Sequence, residues 1–240
     1  MKSGQQTPLW QAIERALRVD IADKIYAPGD KLPTEAELAD RFGVNRHTVR
    51  HAIAQMVKDG LVRTRRGAGV FVTAAPTEYP IGKRVRFHQN VLAGGQMPEK
   101  RILQIEERPA SEKEAERLEL PARARLCVYH GLSLADGNPI ALFVSHFPAE
   151  RLRGIATALA EETGVTDALA RCGIADYTRV STRISARAAD ATQALHLHVS
   201  EGAPLVYSTS LNADHAGTPV EFGMTWFAGD RVTLTFDGTP

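Results

Sequence analysis

Residues 34–50 read TEAELADRFGVNRHTVR, and this stretch decides the fold of the N-terminal part of the chain. Thr34 and Glu37 form a capping box that opens one helix, because each side chain can bond the other residue's free backbone amide. Gly43 ends that helix in the position favoured for a left-handed C-cap. Asn45 is a good N-cap for a second helix that follows at once. Two short helices joined by a glycine-containing turn predict a helix-turn-helix.

A helix precedes this stretch and a hairpin follows it. Apolar residues recur every four positions and predict a first helix of roughly 17 residues: Leu9, Ile13, Leu17, Ile21 and Ile25. Downstream, the β-prone runs 61–65 and 70–72 surround a tight turn, Arg66-Gly67-Ala68-Gly69, that has a basic tip. This hairpin predicts a wing whose glycines let the backbone approach DNA and whose Arg66 can enter a minor groove.

The charge is concentrated in the same part of the chain. The 240 residues carry a formal net charge of +1, but residues 1–75 hold 12 Lys+Arg against 8 Asp+Glu. Within residues 41–66, seven basic side chains face one acid, Asp59. A basic patch on a nearly neutral chain indicates a polyanion partner for this part, with a merely solvated basic face as the alternative. An Arg near the start of a major-groove helix can bond guanine O6 and N7.

The composition fits a globular protein. Hydrophobic residues make up 43% and charged residues 24% of the chain, which excludes a disordered or collagen-like protein. The N-terminus has no signal-peptide pattern and no apolar run approaches a membrane span, so a soluble cytoplasmic protein is expected. Cys127 and Cys172 are too few for a disulfide framework or a four-ligand zinc site, and we expect two free, buried thiols.

Residues 76–240 show a mixed pattern after a small-residue linker at 74–78. The β-rich runs 126–134 and 139–147 are joined by the hairpin signal Asp136-Gly137-Asn138. Further strands are predicted at 102–107, 179–186, 204–212, 219–227 and 232–236, and helices at 111–118, 152–162 and 166–172. The pattern predicts an α+β domain around an antiparallel sheet. The predicted domains are therefore 1–75, which we expect to bind DNA, and 76–240, an α+β domain.

Catalytic and metal-binding signals are absent from the sequence. It contains no G-x-S-x-G motif, no P-loop and no G-x-G-x-x-G after a strand, so neither an enzyme nor a bound cofactor is predicted. His196 and His198 are two positions apart, as two ligands on a strand would be. Two surface or partly buried histidines are the favoured interpretation, because no carboxylate or cysteine is near.

Four segments together resemble the winged helix of the GntR family of regulators along its full length. They are PGDKLPTE at 28–35, FGVNRHTVR at 42–50, GLV at 60–62 and GAGVFV at 67–72. Ala36 stands where some family members have Arg, which implies one base contact fewer. The candidate DNA-binding residues are Thr34, Glu35, Arg46, His47, Thr48, Arg50, Arg66 and Gly67.

The second half resembles the UTRA effector domain of the HutC-like branch of that family. The resemblance rests on LADGNPIAL at 134–142, PVEF at 219–222 and GDR at 229–231. It implies a fold similar to chorismate lyase, a small-molecule pocket between sheet and helices, and a homodimer that binds a two-fold symmetric DNA operator. Sugar-phosphate-binding members carry two Arg where this chain has Gly131 and Ser133, and a Glu where it has Phe143. The resemblance therefore does not carry over that ligand site.

Segments 79–92 and 182–187 resemble the phosphonate-metabolism regulators of this branch. This resemblance implies a repressor of phosphonate uptake and degradation genes that a small anionic effector releases from DNA. Arg suits phosphonate because its planar fork donates two parallel bonds to an oxyanion, and Glu221 could accept from an amino or hydroxyl group at the ligand's other end.

Two patterns indicate the candidate effector-binding residues: polar side chains that alternate along a strand, and polar side chains within otherwise apolar strands. Arg86, His88 and Asn90 alternate on one possible strand, and Arg183 and Ser185 alternate on another. The full candidate set is Arg86, His88, Asn90, His130, Ser133, His146, Arg183, Ser185 and Glu221. The alternative is that these are ordinary solvent-facing strand residues.

A ligand-responsive repressor is the leading interpretation, because joining a basic DNA-binding domain to a sensor domain can couple effector binding to DNA binding. Three alternatives stay open from the sequence. One is a GntR-type regulator that senses a sugar phosphate or an amino-acid-derived metabolite. The others are an enzyme with the chorismate-lyase-like fold and an architectural DNA-binding protein that has no ligand.

Overall fold

The computed structural model describes residues 8–65, 67–73, 76–82, 87–162 and 164–236, and of Arg65 and His88 it describes the backbone only. The chain divides into two compact units, Met1–Ala75 and Pro76–Pro240. Within the described ranges, none of the helices combines the length and the apolarity needed to cross a membrane.

The N-terminal unit consists of three helices and a two-stranded hairpin. Its elements are α1 (Leu9–Ala22), α2 (Glu35–Phe42), α3 (Arg46–Lys58), β1 (Val62–Arg65) and β2 (Gly69–Val72). β1 and β2 pair antiparallel. Side chains from all three helices share one core, in which Leu17, Leu38, Val49 and Met56 are fully buried. The predicted winged helix-turn-helix is confirmed.

The turn between α2 and α3 is fixed by caps that the sequence predicted. The Glu37 carboxylate accepts from the Thr34 amide at 2.7 Å, and the Thr34 hydroxyl accepts in return from the Glu37 amide. Gly43 ends α2 with φ +63°, a conformation that side chains disfavour. The Asn45 side-chain oxygen Oδ1 accepts from the Thr48 amide at 2.9 Å and opens α3. Such N-caps each contribute about 1 kcal/mol.

α1 is shorter than the sequence predicts. It has 14 residues and ends at Ala22. Lys24 has φ +59°, which cannot continue a right-handed helix. Ile25 is 63% exposed and Leu9 is 64% exposed, so only the middle of the predicted apolar stripe is buried.

The C-terminal unit is built on one antiparallel sheet of six long strands. In chain order the described strands of the whole unit are β3 (Thr77–Pro80), β4 (Pro98–Pro109), β5 (Arg125–Ala135), β6 (Asn138–Pro148), β7 (Tyr177–Ala188), β8 (Pro204–Asp214), β9 (Pro219–Ala228) and β10 (Val232–Thr235). The large sheet has the order β4-β5-β6-β9-β8-β7, and β3 and β10 form a separate parallel pair. The predicted α+β class with an antiparallel sheet is confirmed.

Five short helices cover the two faces of this sheet. They are α4 (Phe87–Ala93), α5 (Glu112–Arg117), α6 (Ile155–Glu161), α7 (Val165–Arg171) and α8 (Ala191–Leu197). Alternate residues of β5 serve opposite faces, as the period of a strand requires. Cys127 and Tyr129 pack in the cluster that contains α6 and α7, whereas Leu126 and Val128 pack in the cluster that contains α5.

The structure corrects one prediction and adds elements that the sequence analysis missed. Residues 87–93 form helix α4, so the predicted strand that would carry Arg86, His88 and Asn90 is wrong. Phe87 and Val91 lie one helical turn apart and pack into the same core, and this 3.6-residue spacing outweighs the polar alternation. α8, which the Asp190 side chain caps, was also not predicted. Arg86 itself lies outside the described residues.

Candidate functional site

The start of α3 presents a row of exposed polar side chains. Arg46, His47 and Arg50 are exposed, and Thr48 is half-buried beside them. The Thr48 hydroxyl donates to the Asn45 side-chain oxygen Oδ1 at 3.0 Å. The amide and the hydroxyl of Thr48 therefore both help to hold the helix start. The structure thus brings together four of the predicted DNA-binding residues on the helix that would enter the major groove.

Arg50 is held by an acid on the preceding helix. Its Nε donates to Glu35 Oε1 at 3.0 Å and its Nη2 donates to Glu35 Oε2 at 2.6 Å. The hydrogen bond from Arg50 lowers the pKa of Glu35, and the nearby charges of Arg46 and His47 lower it further. Glu35 therefore stays ionised beside the basic start of α3.

The remaining predicted DNA-binding residues have different surroundings. The Thr34 hydroxyl donates to Glu37 Oε2 at 2.8 Å and so belongs to the cap of α2. Gly67 lies in the turn of the hairpin with φ +73°, where a side chain would be strained. Arg66 lies outside the described residues.

A groove beside α3 contains residues that the sequence analysis did not single out. Trp10 of α1 stacks on His51 with ring centroids 4.4 Å apart. The groove is also lined by His47, Thr48 and Arg50, and the described residues of its lining include no acid. An indole beside a basic helix is suited to contact a phosphate, because Trp Nε1 can only donate. Its signal in the sequence is weak, since Trp10 also continues the core stripe of α1.

The C-terminal unit contains a cavity of about 230 Å³ on one face of the large sheet. Its floor is made mostly of small side chains: Ser133, Ser145, Ser208, Ser210, Gly223 and Thr225. Register places these residues on the same face, because Gly223 pairs with both Ser145 and Ser210, and Thr225 pairs with Ser208. Small residues at these positions leave room that larger side chains would fill.

Segments outside the large sheet close the cavity. Tyr79 approaches from β3, Ile81 from the position directly after that strand, Phe87 and Gln89 from α4, and Thr166 from α7. The Thr166 and Tyr177 hydroxyl oxygens are 2.9 Å apart, which joins α7 to the edge strand β7. Burial raises the pKa of Tyr79 to about 12, so this phenol is neutral and can donate.

One large side chain occupies part of the floor. Phe143 of β6 lies directly opposite Gly131 of β5. A Cβ at Gly131 would lie 2.5 Å from Phe143 Cζ, so the ring occupies the space that a side chain at 131 would need. Tyr129 meets the same ring edge to face, with centroids 5.0 Å apart. The glycine and the phenylalanine are therefore fitted to each other.

A buried carboxylate lies in the cavity wall. Glu221 is 7% exposed. Its Oε1 accepts from the Ser145 hydroxyl at 2.7 Å, and its Oε2 accepts from the Asn212 side-chain amide at 2.7 Å. The side-chain oxygen Oδ1 of Asn212 in turn accepts from Arg179 Nε at 3.2 Å. These contacts form one polar chain across β6, β9, β8 and β7.

Two cationic side chains and a second acid also line the cavity. They are Lys100 of β4, Arg179 of β7 and Asp167 of α7. Lys100 is paired in register with Ser133 and so faces the same side of the sheet. Burial lowers the pKa of Lys100 to about 8, while the charges of Glu221 and Asp167 oppose this shift. Its ammonium is therefore protonated at neutral pH but only weakly stabilised.

The predicted effector-binding residues are divided between the two faces of the sheet. Ser133 and Glu221 line the cavity. Asn90 is not part of the lining, and its side-chain amide donates to the Pro80 carbonyl at 3.2 Å. His88 lies in α4, but its side chain is not among the described parts of the chain.

Arg183 and Ser185 point away from the cavity because of a β-bulge. The register of β7 against β8 shifts between Arg179 and Ser181. Arg179 is opposite Asn212, a cavity residue, whereas Arg183 is opposite Thr209 on the other face. One extra residue reverses which side chains face the floor, so the even spacing from 179 to 183 no longer puts both Arg on one side.

His130 and His146 belong to a separate cluster on the face away from the cavity. His146 is 1% exposed. Its Nε2 is 3.1 Å from Glu114 Oε1, and its Nδ1 is 3.1 Å from the Phe222 carbonyl oxygen. Burial lowers the pKa of His146. Two bonds from Arg108 lower the pKa of Glu114 to about 2, so this cluster contains a permanent anion.

Lys100, Arg179 and Asn212 are cavity residues that the sequence analysis missed. Asn212 continues the polar series Ser208 and Ser210 at a spacing of two, and this alternation in an otherwise apolar strand was a usable signal. No comparable signal marks Lys100, which lies among other charged residues of β4.

The described residues contain no group of three or more potential metal ligands. His196 lies in α8, and His198 caps that helix with φ +52°. Cys127 is buried, as predicted, but Cys172 is only partly buried at the end of α7, and both thiols are free.

Comparison with known proteins agrees with this architecture. Residues 93–233 match the UTRA domain family. Residues 9–72 match the family of bacterial regulatory proteins called the gntR family. The HTH-type transcriptional regulator RB1450 of Rhizobium meliloti (strain 1021) is 40% identical over 232 residues, which cover 95% of this chain and 94% of that protein.

Two further relatives are named PhnF. The probable transcriptional regulator PhnF of Escherichia coli (strain K12) is 35% identical over 215 residues, which cover 88% of each chain. The crystal structure of PhnF from Mycobacterium smegmatis superposes with a TM-score of 0.67 at 25% identity, over 96% of this chain and 99% of that chain.

Both halves of the chain match a domain family, and the relatives that cover it almost completely are transcriptional regulators rather than enzymes. A winged helix that binds DNA is thus joined to a domain that binds a small effector. The chain therefore belongs to the GntR family, in the HutC-like branch that carries a UTRA domain, and it is a ligand-responsive transcriptional regulator.

Proposed function

We propose that this regulator represses genes for phosphonate uptake and degradation, and that a small anionic effector bound in the cavity releases it from DNA. It acts in the cytoplasm as a homodimer on a two-fold symmetric operator. Arg46, His47, Thr48, Arg50, Arg66 and Gly67 contact the DNA in this proposal. Lys100, Arg179, Ser133 and Glu221 contact the effector.

The observation that carries the proposal is a polar cavity that contains two cationic side chains. Lys100 and Arg179 line a space of about 230 Å³ whose floor is rich in hydroxyl groups. Cations within a partly desolvated site attract an anion more strongly than they do in water. Serine hydroxyls can donate to the remaining oxygens of a tetrahedral oxyanion.

The choice of phosphonate rests on the resemblance of segments 79–92 and 182–187 to phosphonate-metabolism regulators. The cavity supports it in two respects. Its lining provides cations and hydroxyl groups that can bind a phosphonate. The positions where sugar-phosphate-binding members carry two Arg are Gly131 and Ser133, and Gly131 has no space for a side chain beside Phe143.

Release from DNA requires that effector binding and DNA binding are thermodynamically linked. An effector shifts the protein off its operator only if it binds the DNA-free arrangement more tightly than the DNA-bound one. A coupling free energy of about 1–3 kcal/mol reduces DNA affinity by about 5- to 150-fold.

Two winged helices in a homodimer would read two half-sites, since one module buries too little surface for tight binding.

The proposal is tested in two steps with the full-length protein. Operator sequences are first selected from a random duplex library, and fluorescence anisotropy then measures affinity for the selected site at fixed salt. Addition of ethylphosphonate or 2-aminoethylphosphonate is expected to weaken operator binding, whereas a glucosamine phosphate is expected to have no effect. An operator affinity that no phosphonate changes, together with a response to the sugar phosphate, contradicts the proposed effector class.

A further inference from the structure

Glu221 is a buried carboxylate that makes no ion pair within the parts of the chain that the structure describes. It is 7% exposed, and its two hydrogen bonds come from neutral groups, the Ser145 hydroxyl and the Asn212 amide, each at 2.7 Å. Among the described residues, none of the ion pairs within 4.0 Å includes Glu221. The charge of Lys100 acts on Glu221 without forming an ion pair within 4.0 Å. A buried anion that is not directly paired is costly, so its presence in a cavity wall favours a cationic ligand group.

The carboxylate has room for that partner. An ionised carboxylate offers about four lone-pair positions, and the two neutral donors take one on each oxygen. Ser145 and Asn212 thereby fix the orientation of the Glu221 carboxylate while leaving acceptor capacity on both oxygens. Glu221 lines the cavity itself, so a ligand can reach these positions.

The described lining contains two positive and two negative side chains. The cations are Lys100 and Arg179, and the anions are Glu221 and Asp167. A purely anionic ligand would satisfy the cations and add its own repulsion to the field of a buried carboxylate. A ligand that carries both signs of charge satisfies both kinds of group.

We propose that the effector is a zwitterion, an aminoalkylphosphonate, whose ammonium group is bound by Glu221 and whose phosphonate is bound by one of the two cavity cations, Lys100 or Arg179, which lie on opposite edge strands on either side of Glu221. This inference rests on the proposed function, which supplies the phosphonate end. It adds the second charge and the residue that recognises it. The ammonium donates up to three hydrogen bonds, and the Glu221 oxygens accept from it.

The test is calorimetry on the full-length protein with three probes of similar length. 2-Aminoethylphosphonate carries both charges, ethylphosphonate lacks the amine, and β-alanine keeps the amine with a carboxylate in place of the phosphonate. We expect 2-aminoethylphosphonate to bind at least about 10-fold more tightly than ethylphosphonate, because a charge-assisted hydrogen bond in a buried site is worth that factor or more.

Glu221→Gln is the informative variant. A glutamine has the same shape and keeps both neighbours, since its oxygen accepts from Asn212 and its amide donates to the Ser145 hydroxyl. We expect this variant to bind 2-aminoethylphosphonate and ethylphosphonate with similar affinity. Glu99→Gln is the matched control, because Glu99 is an exposed carboxylate next to Lys100 that is not part of the described cavity lining. We expect it to retain most of the preference for the amine.

The outcomes separate this inference from the proposed function. If ethylphosphonate binds as tightly as 2-aminoethylphosphonate to the wild-type protein, the zwitterion is wrong and an anionic phosphonate effector stands. If neither phosphonate binds but β-alanine does, and Glu221→Gln abolishes that binding, the phosphonate is wrong and recognition of the ammonium by Glu221 stands. If no probe that carries an amine binds, the inference is overturned.

Discussion

The guanidinium of Arg50 and the carboxylate of Glu35 form a two-bond salt bridge across the helix-turn-helix, with N–O distances of 3.0 and 2.6 Å. Arg50, one of the residues that we propose contact DNA, is thus held by an acid in the free protein. To bond guanine with both fork nitrogens, Arg50 must exchange this carboxylate for the base edge. Glu35 therefore sets a cost for binding any DNA that cannot replace the two bonds.

Arg50→Ala is expected to cost about 1–3 kcal/mol at the selected operator, with relaxed preference at one base pair. Glu35→Gln is expected to strengthen binding to random DNA, because it removes an anion from the basic face and frees Arg50. Anisotropy titrations on operator and random duplexes measure both effects. An equal loss on both duplexes for Arg50→Ala would mean that this side chain contacts phosphate only, and a change in the salt slope by about one would accompany that result.

Ligand affinity is expected to fall as pH rises through about 8. Lys100 has a pKa of about 8 in the free protein, and a bound anion raises that pKa. The protonated ammonium therefore binds best, so affinity for ethylphosphonate is maintained below pH 8 and declines by up to about 10-fold per pH unit above it. Calorimetry between pH 7.5 and 9.5 measures this. Lys100→Met should bind more weakly and lose the dependence, and an unchanged profile in this variant would exclude Lys100 from the site.

The bulge in β7 supplies a matched pair of variants. Arg179→Ala is expected to weaken effector binding by at least about 10-fold, since it removes a cavity cation and the partner of Asn212. Arg183→Ala removes the same type of side chain from the other face of the same strand and is expected to change affinity by less than about 2-fold. The reverse order of effects would show that Arg183 reaches the effector, as the sequence alone suggested.

The protein is expected to sediment as a dimer at micromolar concentration, with and without operator DNA. A duplex with one half-site should bind far more weakly than a duplex with two, because only the latter engages both winged helices. Sedimentation velocity and anisotropy check these two expectations. A monomer under both conditions would contradict the two-fold binding mode.

The local elements of this fold could be read from the sequence, whereas the content of the cavity could not. Thr34, Gly43 and Asn45 act within a few residues of the helix ends they fix, so their caps were predictable. The pair Phe87 and Val91 also carried a helical spacing that indicated α4, but the polar alternation of Arg86, His88 and Asn90 obscured it. Local patterns of this kind succeed or fail within one element.

The lining of the cavity depends on which strands are neighbours and in which register. Lys100 and Glu221 lie 121 positions apart in the chain and meet only through the sheet order β4-β5-β6-β9. The one-residue bulge near Val180 decided between Arg179 and Arg183, and nothing in that strand's own residues announces it. Similarly, the two candidate histidines could be placed on the far face only once β5 and β6 were paired.

The fit between Gly131 and Phe143 restricts how this regulator could acquire a new effector. An arginine at position 131, as in sugar-phosphate-binding members of the family, would collide with the ring of Phe143. Shortening Phe143 alone would leave a void in a packed cluster, at a cost of about 3–5 kcal/mol. A Cβ at position 131 would also lie 3.0 Å from the Arg101 carbonyl oxygen, so replacing Phe143 relieves only part of the crowding. Introducing an arginine at position 131 would therefore require coordinated changes in both β5 and β6.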